Sequence, residues 1–336
     1  MKGRLIMTSG QSPVRIGVLG AARVVPCGLV QPAAAVPGVQ VRAIASRTLA
    51  RAQALAAKLQ IPLARGAYEQ VLDDPDIDAI YVALPPARHA PWVRKALDAG
   101  KHVLCEKPLT PTAAVAEELV RHASARGLVL QEAMHVQFLR TLRRQRDLVA
   151  SGALGRLLHV DSCCRFPHVP FIAGDFRLRA ELGGGARLDL GGYAVTCLRI
   201  VSGEEPEVVS VQHRSDTPDV DSWMKATLRL PSGAAAVAEC GFKGAYQPRF
   251  GVTVRGERGE IAWDPAGLAC TIDGRVTKEA IPAGWTYRFQ LEAFAKRVRG
   301  ETSDARPPED AVATARVLDA MYEHAGLTRR DAMVDA

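Results

Sequence analysis

An aspartate and a tyrosine four residues apart, Asp189 and Tyr193, lie midway along the chain in Gly183-Gly-Gly-Ala-Arg-Leu-Asp-Leu-Gly-Gly-Tyr193. Leu190, Ala194, Cys197 and Val201 recur at helical spacing, so this stretch is predicted to be a helix that projects Asp189 and Tyr193 from one face. A carboxylate beside a phenol suits proton transfer, because the acid can hold and orient its partner. On spacing alone, an ordinary helix with a surface acid and a half-buried tyrosine is the simpler reading. Gly191 and Gly192 sharpen the case. Each costs a helix interior roughly 0.5–1 kcal/mol relative to alanine, which points to something packed close against this backbone.

Such a helix needs a scaffold, and the first half of the chain supplies one. Val14-Arg-Ile-Gly-Val-Leu19 is a short, mostly apolar run ending in Gly20, as a strand buried on both faces would be. Further strands are predicted at Val39–Ala45, 77–83, 101–105 and 128–130. Helices are predicted from about Ala22, where Pro32 should end or kink the run, and at Leu49–Leu59, 68–72, 91–99 and 112–125. Strands and helices alternating across short turns predict a doubly wound parallel sheet, the Rossmann arrangement, which binds ligands beyond the carboxyl ends of its strands.

The first turn and the second strand bear on the ligand. Aligned on G-x-G-x-x-G, the turn reads Gly20-Ala21-Ala22-Arg23-Val24-Val25, so only the first glycine is kept. A tight turn, a small residue at Ala22 and a free helix start can still cradle a dinucleotide's phosphates. An NAD site carries an acid about 20 residues on, for the ribose 2′-hydroxyl. Here Ser46 and Arg47 hold that place, and no acid occurs between Arg23 and Glu69. Arg47 can pair with a 2′-phosphate, which favours NADP over NAD, although a solvated helix start would also explain it. Two later strands close on Leu84-Pro85-Pro-Ala-Arg-His89 and Cys105-Glu106-Lys107-Pro-Leu109, at the cofactor end of the sheet. A lysine before proline is pushed toward extended geometry, so Lys107 leaves its strand without entering a helix.

Bulk properties exclude several classes. No apolar run approaches the roughly 18–20 residues that span a bilayer, and residues 1–12 read as a loose tail without a signal peptide's apolar core. Seven cysteines with no C-x-x-C pair fit reduced core thiols in cytoplasm better than a disulfide frame or a metal site. The net charge of +7 is spread along the chain, and its one dense cluster, 140–146, reads as a solvated helix face. No nucleic-acid-binding pattern accompanies it; mild basicity suits an anionic cofactor or substrate equally well.

Taken together, Gly20-Ala-Ala-Arg-Val, Ala99-Gly-Lys-His-Val-Leu-Cys-Glu-Lys-Pro108, Gly184-Gly-x-x-x-Asp-x-Gly-Gly-Tyr193 and Pro308-Glu-Asp-Ala311 resemble the glucose–fructose oxidoreductase/inositol dehydrogenase (Gfo/Idh/MocA) family. The resemblance runs from Val14 to about His324. It implies a Rossmann domain at 13–131, followed at 132–336 by an α/β domain with a large, mostly antiparallel open sheet. Hydride transfer at a sugar, sugar-nucleotide or related alcohol carbon is implied, with Lys107, Asp189 and Tyr193 as the catalytic set. Two departures stand out: the phosphate turn lacks its second glycine, and Met134-His135 replaces an aromatic pair often seen after Glu132-Ala133.

The second half agrees, with strands expected at 157–161, 207–213, 223–230, 234–240, 252–255, 259–263 and 268–272, then helices at 287–298 and 310–324. An open sheet leaves a face to cover, so a homodimer or homotetramer is expected. Arg165, His168 and Arg177 precede the catalytic helix and could line a polar substrate pocket, or be ordinary loop residues. Cationic Lys107 is expected to lower the Tyr193 phenol, and either group could be the immediate proton donor. A trans-dihydrodiol dehydrogenase-like enzyme and a non-catalytic NADP-binding regulator are the competing readings; a pure sensor has no need of Lys107, Asp189 and Tyr193 together.

Overall fold

The computed structural model of the chain describes residues 12–166, 175–217, 220–242, 249–264, 266–282 and 284–327. Its first part runs β1 (Val14–Leu19), α1 (Gln31–Ala35), β2 (Val39–Ala45), α2 (Leu49–Leu59), β3 (Leu63–Arg65), α3 (Glu69–Leu72), β4 (Ala79–Val82), α4 (His89–Asp98), β5 (His102–Cys105), α5 (Ala113–Ala125) and β6 (Leu130–Glu132). The six strands form one sheet in the order β3-β2-β1-β4-β5-β6, and every pairing is parallel. The central strands β1 and β4 read as nearly continuous apolar runs because both sheet faces are sealed there. Ile16, Val18 and Ile44 face one apolar cluster, while Leu19, Ala43 and Val82 face the other, against Val93, Leu97 and Leu119 of α4 and α5. The strand order reverses between β1 and β4, and the crevice at such a switch point is where these sheets take ligands.

The second part runs α6 (Arg140–Ala150), β7 (Leu157–Arg165), α7 (Gly192–Ser202), β8 (Glu207–Thr217), β9 (Val220–Arg229), β10 (Ala235–Gly241), β11 (Arg249–Gly256), β12 (Gly259–Asp264), β13 (Gly267–Ile272), β14 (Arg275–Ala280), α8 (Thr286–Val298) and α9 (Glu309–His324). Its eight-stranded sheet has the order β14-β13-β12-β11-β7-β10-β9-β8. Only β7 and β10 pair in parallel; the other ladders are antiparallel. α7 is apolar nearly all round because it is buried between this sheet and helices α6 and α9. The C-terminal helices also return to the first sheet: Leu291 and Phe294 of α8 join one of its clusters, and Ala311 and Val312 of α9 join the other. α9 therefore ties the two sheets together, since its Leu318 and Met321 lie in the second core.

One local expectation is revised, and two strands lie outside those expected. The run after β1 begins as a wide π turn at Pro26–Val30, and Pro32 then falls at the second position of α1, where a missing N–H costs little. β3 is only three residues long and carries no readable period. β14 was not foreseen because it is almost wholly exposed and has no apolar face to betray it.

Candidate active site

The site forms where the carboxyl ends of β1, β4 and β5 meet the start of α7. Gly20 ends β1 at φ +107°, and a Cβ there would lie 2.2 Å from the Ala83 carbonyl oxygen. No other residue takes that turn without strain. The backbone from Gly20 to Val24 thus opens against the loop after β4, where Leu84 and Pro85 are half-buried. Further along, Gly28 lets the helix pack on Tyr81: a Cβ at Gly28 would sit 2.7 Å from the phenol oxygen. Close helix–strand packing, the task of the fingerprint's third glycine, thus falls here on Gly28. At the end of β2, Ser46 is buried and Arg47 is exposed. Arg51, one helical turn beyond Arg47, is a second cation whose charge reaches Tyr68 together with that of Arg47. Sequence reasoning passed over Arg51, although its i,i+4 spacing from Arg47 was a usable signal.

Lys107 crosses from this end to the other half of the site. Its Nζ donates to the Asp189 carbonyl at 2.6 Å and to Asp189 Oδ1 at 2.9 Å, and it stands 4.6 Å from the centre of the Tyr193 ring. Asp189 Oδ2 accepts from Arg177 Nε at 2.7 Å. Burial alone would raise the Asp189 carboxyl, but Lys107 and Arg177 more than offset it and hold it below its ordinary value. The backbone at Asp189 forms a wide π turn, Arg187–Gly191, that leads directly into α7. Gly191 does face a close neighbour, but from the protein's own core: a Cβ there would meet Leu318 at 3.2 Å and Cys240 at 3.4 Å.

Tyr193 differs from expectation in its ionisation. Burial pushes its phenol well above the ordinary value, and the nearby carboxylates Glu106 and Asp189 push the same way. Lys107 does not reverse this, so Tyr193 is held in the protonated, donating form. Glu106 is itself raised by burial and accepts a hydrogen bond from the Tyr81 hydroxyl. The signal for Tyr81 was a phenol in an otherwise apolar strand, since a buried hydroxyl needs a partner. Glu132 accepts from the Leu109 amide at 2.8 Å and is pushed up to about 7 by burial.

Other predicted residues are distributed unevenly. His89 is fully buried, with Nδ1 and Nε2 each 2.8 Å from a backbone carbonyl, Pro108 and Leu84 respectively. It braces the two loops that border the cofactor crevice, and any bearing on the cofactor runs through them. Arg177 belongs to the Asp189 clamp, and its Nη1 also lies 3.2 Å from Asp175 Oδ1. Arg165 is not brought to this site. Side chains alternate along β7, so Cys164 faces the core under α7 while Arg165 points to the opposite sheet face, 3.0 Å from Glu239, which also accepts from Trp223 Nε1 at 2.8 Å. His168 lies outside the described residues.

The sheet order agrees with comparisons to known proteins. Residues 14–134 match the model of an oxidoreductase family with an NAD-binding Rossmann fold, and 142–262 match the GFO/IDH/MocA C-terminal domain. The chain belongs to the Gfo/Idh/MocA oxidoreductases. Among relatives of this family, D-xylose 1-dehydrogenase (NADP(+)) 2 of Haloferax volcanii is 37% identical over 318 residues, 92% of this chain and 96% of that protein. A dTDP-3,4-didehydro-2,6-dideoxy-alpha-D-glucose 3-reductase of Saccharopolyspora spinosa is 36% identical over 304 residues, 87% of this chain and 90% of its own length. The solved structure of KijD10, a 3-ketoreductase from Actinomadura kijaniata in complex with NADP and TDP-benzene, superposes with a TM-score of 0.85 at 30% identity, covering 93% of this chain and 98% of that one. This Gfo/Idh/MocA member is an NAD(P)-dependent oxidoreductase with a parallel Rossmann sheet and a mostly antiparallel second sheet.

Proposed function

We propose that the chain moves a hydride between NADP(H) and a carbinol or carbonyl carbon of a sugar, a sugar nucleotide or a related polyol. The observation that carries this reading is Lys107, clamped by Asp189 over the ring of a protonated Tyr193 at the carboxyl edge of the parallel sheet. NADP(H), when bound, supplies or accepts the hydride. The Gly20–Val24 backbone borders the place for its diphosphate, with Arg23 exposed beside it. Ser46, Arg47 and Arg51 offer a hydroxyl and two cations to a 2′-phosphate, and no carboxylate there repels it. Leu84, Pro85 and Glu106 border the crevice, and His89 fixes its loops.

Reduction of a carbonyl places negative charge on its oxygen. Tyr193 donates a proton to that oxygen, and the Lys107 ammonium stabilises the developing charge. Asp189 keeps Lys107 in reach, and Arg177 keeps Asp189 from turning away. Activity with NADPH and NADH over a panel of pyranoses, keto-sugar nucleotides and diols tests the assignment. Turnover of sugars with a preference for NADPH is expected. Activity with simple apolar aldehydes, and none with any sugar or diol, would contradict it.

The outer face of the eight-stranded sheet, carrying Asp161, Arg165, Trp223 and Glu239, supports a homodimer or homotetramer built on it. Light scattering on the purified chain checks this. Free thiols at all seven cysteines, six of them buried, support a reducing, cytoplasmic setting, and no helix among the described residues is long and apolar enough to cross a membrane.

A further inference from the structure

The ring cluster of His135, Tyr287 and Tyr193 beside Lys107 carries one polar edge that proton transfer does not use. His135 lies on the short turn after β6, and Tyr287 on the first turn of α8. The imidazole stacks on the Tyr287 ring with centroids 4.1 Å apart and planes 28° apart, and meets Tyr193 edge-on at 5.7 Å and 68°. Its Nδ1 is 2.9 Å from Thr286 Oγ1. One ring face and one nitrogen are therefore occupied, and the ring cannot turn without losing both contacts.

The remaining nitrogen is Nε2. Among the described residues it has no hydrogen-bond partner, and it is not one of the sealed, unpartnered atoms of the interior. His135 is partly accessible, as Tyr193, Tyr287 and Lys107 are, so Nε2 is the polar point this cluster offers to a bound molecule. Burial, reinforced by the charge of Lys107, pushes the imidazole down to about 4, so the ring is neutral at neutral pH. A neutral imidazole has one donor and one acceptor nitrogen, assigned by what Thr286 does at Nδ1. A hydroxyl can answer either form because it both donates and accepts; a methylene answers neither.

We propose that His135 is a specificity-determining residue whose Nε2 reads an oxygen on the carbon next to the reacting one, with Tyr287 and Thr286 as the positioning residues that fix its ring. The inference rests on the reading of Tyr193 as the group facing the reacting carbon. Tyr193 and His135 are neighbouring rings, with centroids 5.7 Å apart, so one small polyol is large enough to reach both. A substrate without that neighbouring oxygen leaves Nε2 unanswered in a half-buried site, a loss of about 10- to 100-fold in kcat/KM.

The test compares a pyranose with its analogue lacking the neighbouring hydroxyl. D-Glucose against 2-deoxy-D-glucose is the first pair, because position 2 adjoins both C1 and C3. Wild type should prefer the hydroxylated sugar by about 10- to 100-fold. His135→Phe keeps a ring to stack on Tyr287 but has no nitrogen. It should bring the ratio to within about 2-fold of unity, by losing kcat/KM for the hydroxylated sugar alone, while NADPH affinity holds. Thr286→Val frees the ring to turn and should lower the ratio about 3-fold or more, which keeps the test available should His135→Phe fail to fold. A ratio unchanged in both variants overturns the proposal and leaves the functional reading standing. If wild type binds NADPH but turns over no sugar, sugar nucleotide or diol, the functional reading fails, and this proposal with it.

Discussion

Lys107 has charged neighbours on one side and aromatic ones on the other, and the two sides follow different physics. On the charged side Asp189 and Arg177 form a chain of bonds at 2.9 and 2.7 Å in a buried setting, where each charge is tolerable only because its partner is present. On the aromatic side Tyr193, His135 and Tyr287 lie within 6 Å of their neighbours and are all uncharged near neutral pH: burial pushes the imidazole down, and pushes further up two phenols that are neutral there already. The comparison separates two tasks. Fixed charge polarises the substrate oxygen and holds geometry; neutral donors transfer a proton and read hydroxyls without competing for that charge.

The largest expected effect comes from removing the groups that meet at the reacting oxygen. Lys107→Met and Tyr193→Phe should each lower kcat by roughly 10²–10⁴, with cofactor affinity little changed in isothermal titration. Asp189→Asn should cost less than either, because the amide can still accept from Lys107 while the charge is lost. A loss in Asp189→Asn equal to that in Lys107→Met would erase the distinction between holding and reacting.

Next in size is the cofactor end. Arg47→Asp should raise the NADPH dissociation constant by about 10-fold or more and leave NADH nearly unchanged, through loss of a charge-assisted bond and added repulsion. Tighter binding of NADH than NADPH by wild type would contradict the reading of Ser46 and Arg47.

The smallest effect concerns stability against pH, measured by thermal melts of the apo chain. His135 is depressed to about 4, below its unfolded value near 6.5, so it contributes stability above about pH 6.5 that is lost as pH falls toward 4. Glu132 is raised to about 7 from near 4.5, so its contribution is present at low pH and lost as pH rises through that window. The two slopes oppose each other between about pH 4.5 and 6.5. Glu132→Gln should unmask the histidine slope, giving a chain that loses stability more steeply on acidification than wild type does. Parallel melting curves for the two would refute it.

Much of this architecture was legible in the sequence, and the gaps have physical causes. β1 and β4 read as apolar runs because both faces of their sheet are sealed there, and Lys107, Asp189 and Tyr193 stood in motifs of readable spacing. β14 left no trace because it buries almost nothing. Arg165 is neither a loop residue nor beside Lys107, because β7 runs on through it and turns its side chain to the sheet face opposite Cys164. Arg177 was seen as a pocket residue because nothing local reveals that its guanidinium closes on Asp189. The meeting of His135 with Tyr287 depends on α8 returning to the first sheet, a long-range event with no local period. The raised Tyr193 phenol is not legible locally, because its main causes are burial and Glu106, both set by the fold, with Asp189 pushing the same way.

The central claim is that Lys107 and Tyr193 act as one proton-transfer unit. Single-turnover oxidation of NADPH by a keto-sugar nucleotide, followed in wild type, Lys107→Met, Tyr193→Phe and the double variant, tests it most directly. Each single variant is predicted to slow the step by roughly 10²–10⁴, and the double variant by less than the product of the two. Full rates in both single variants would contradict the account.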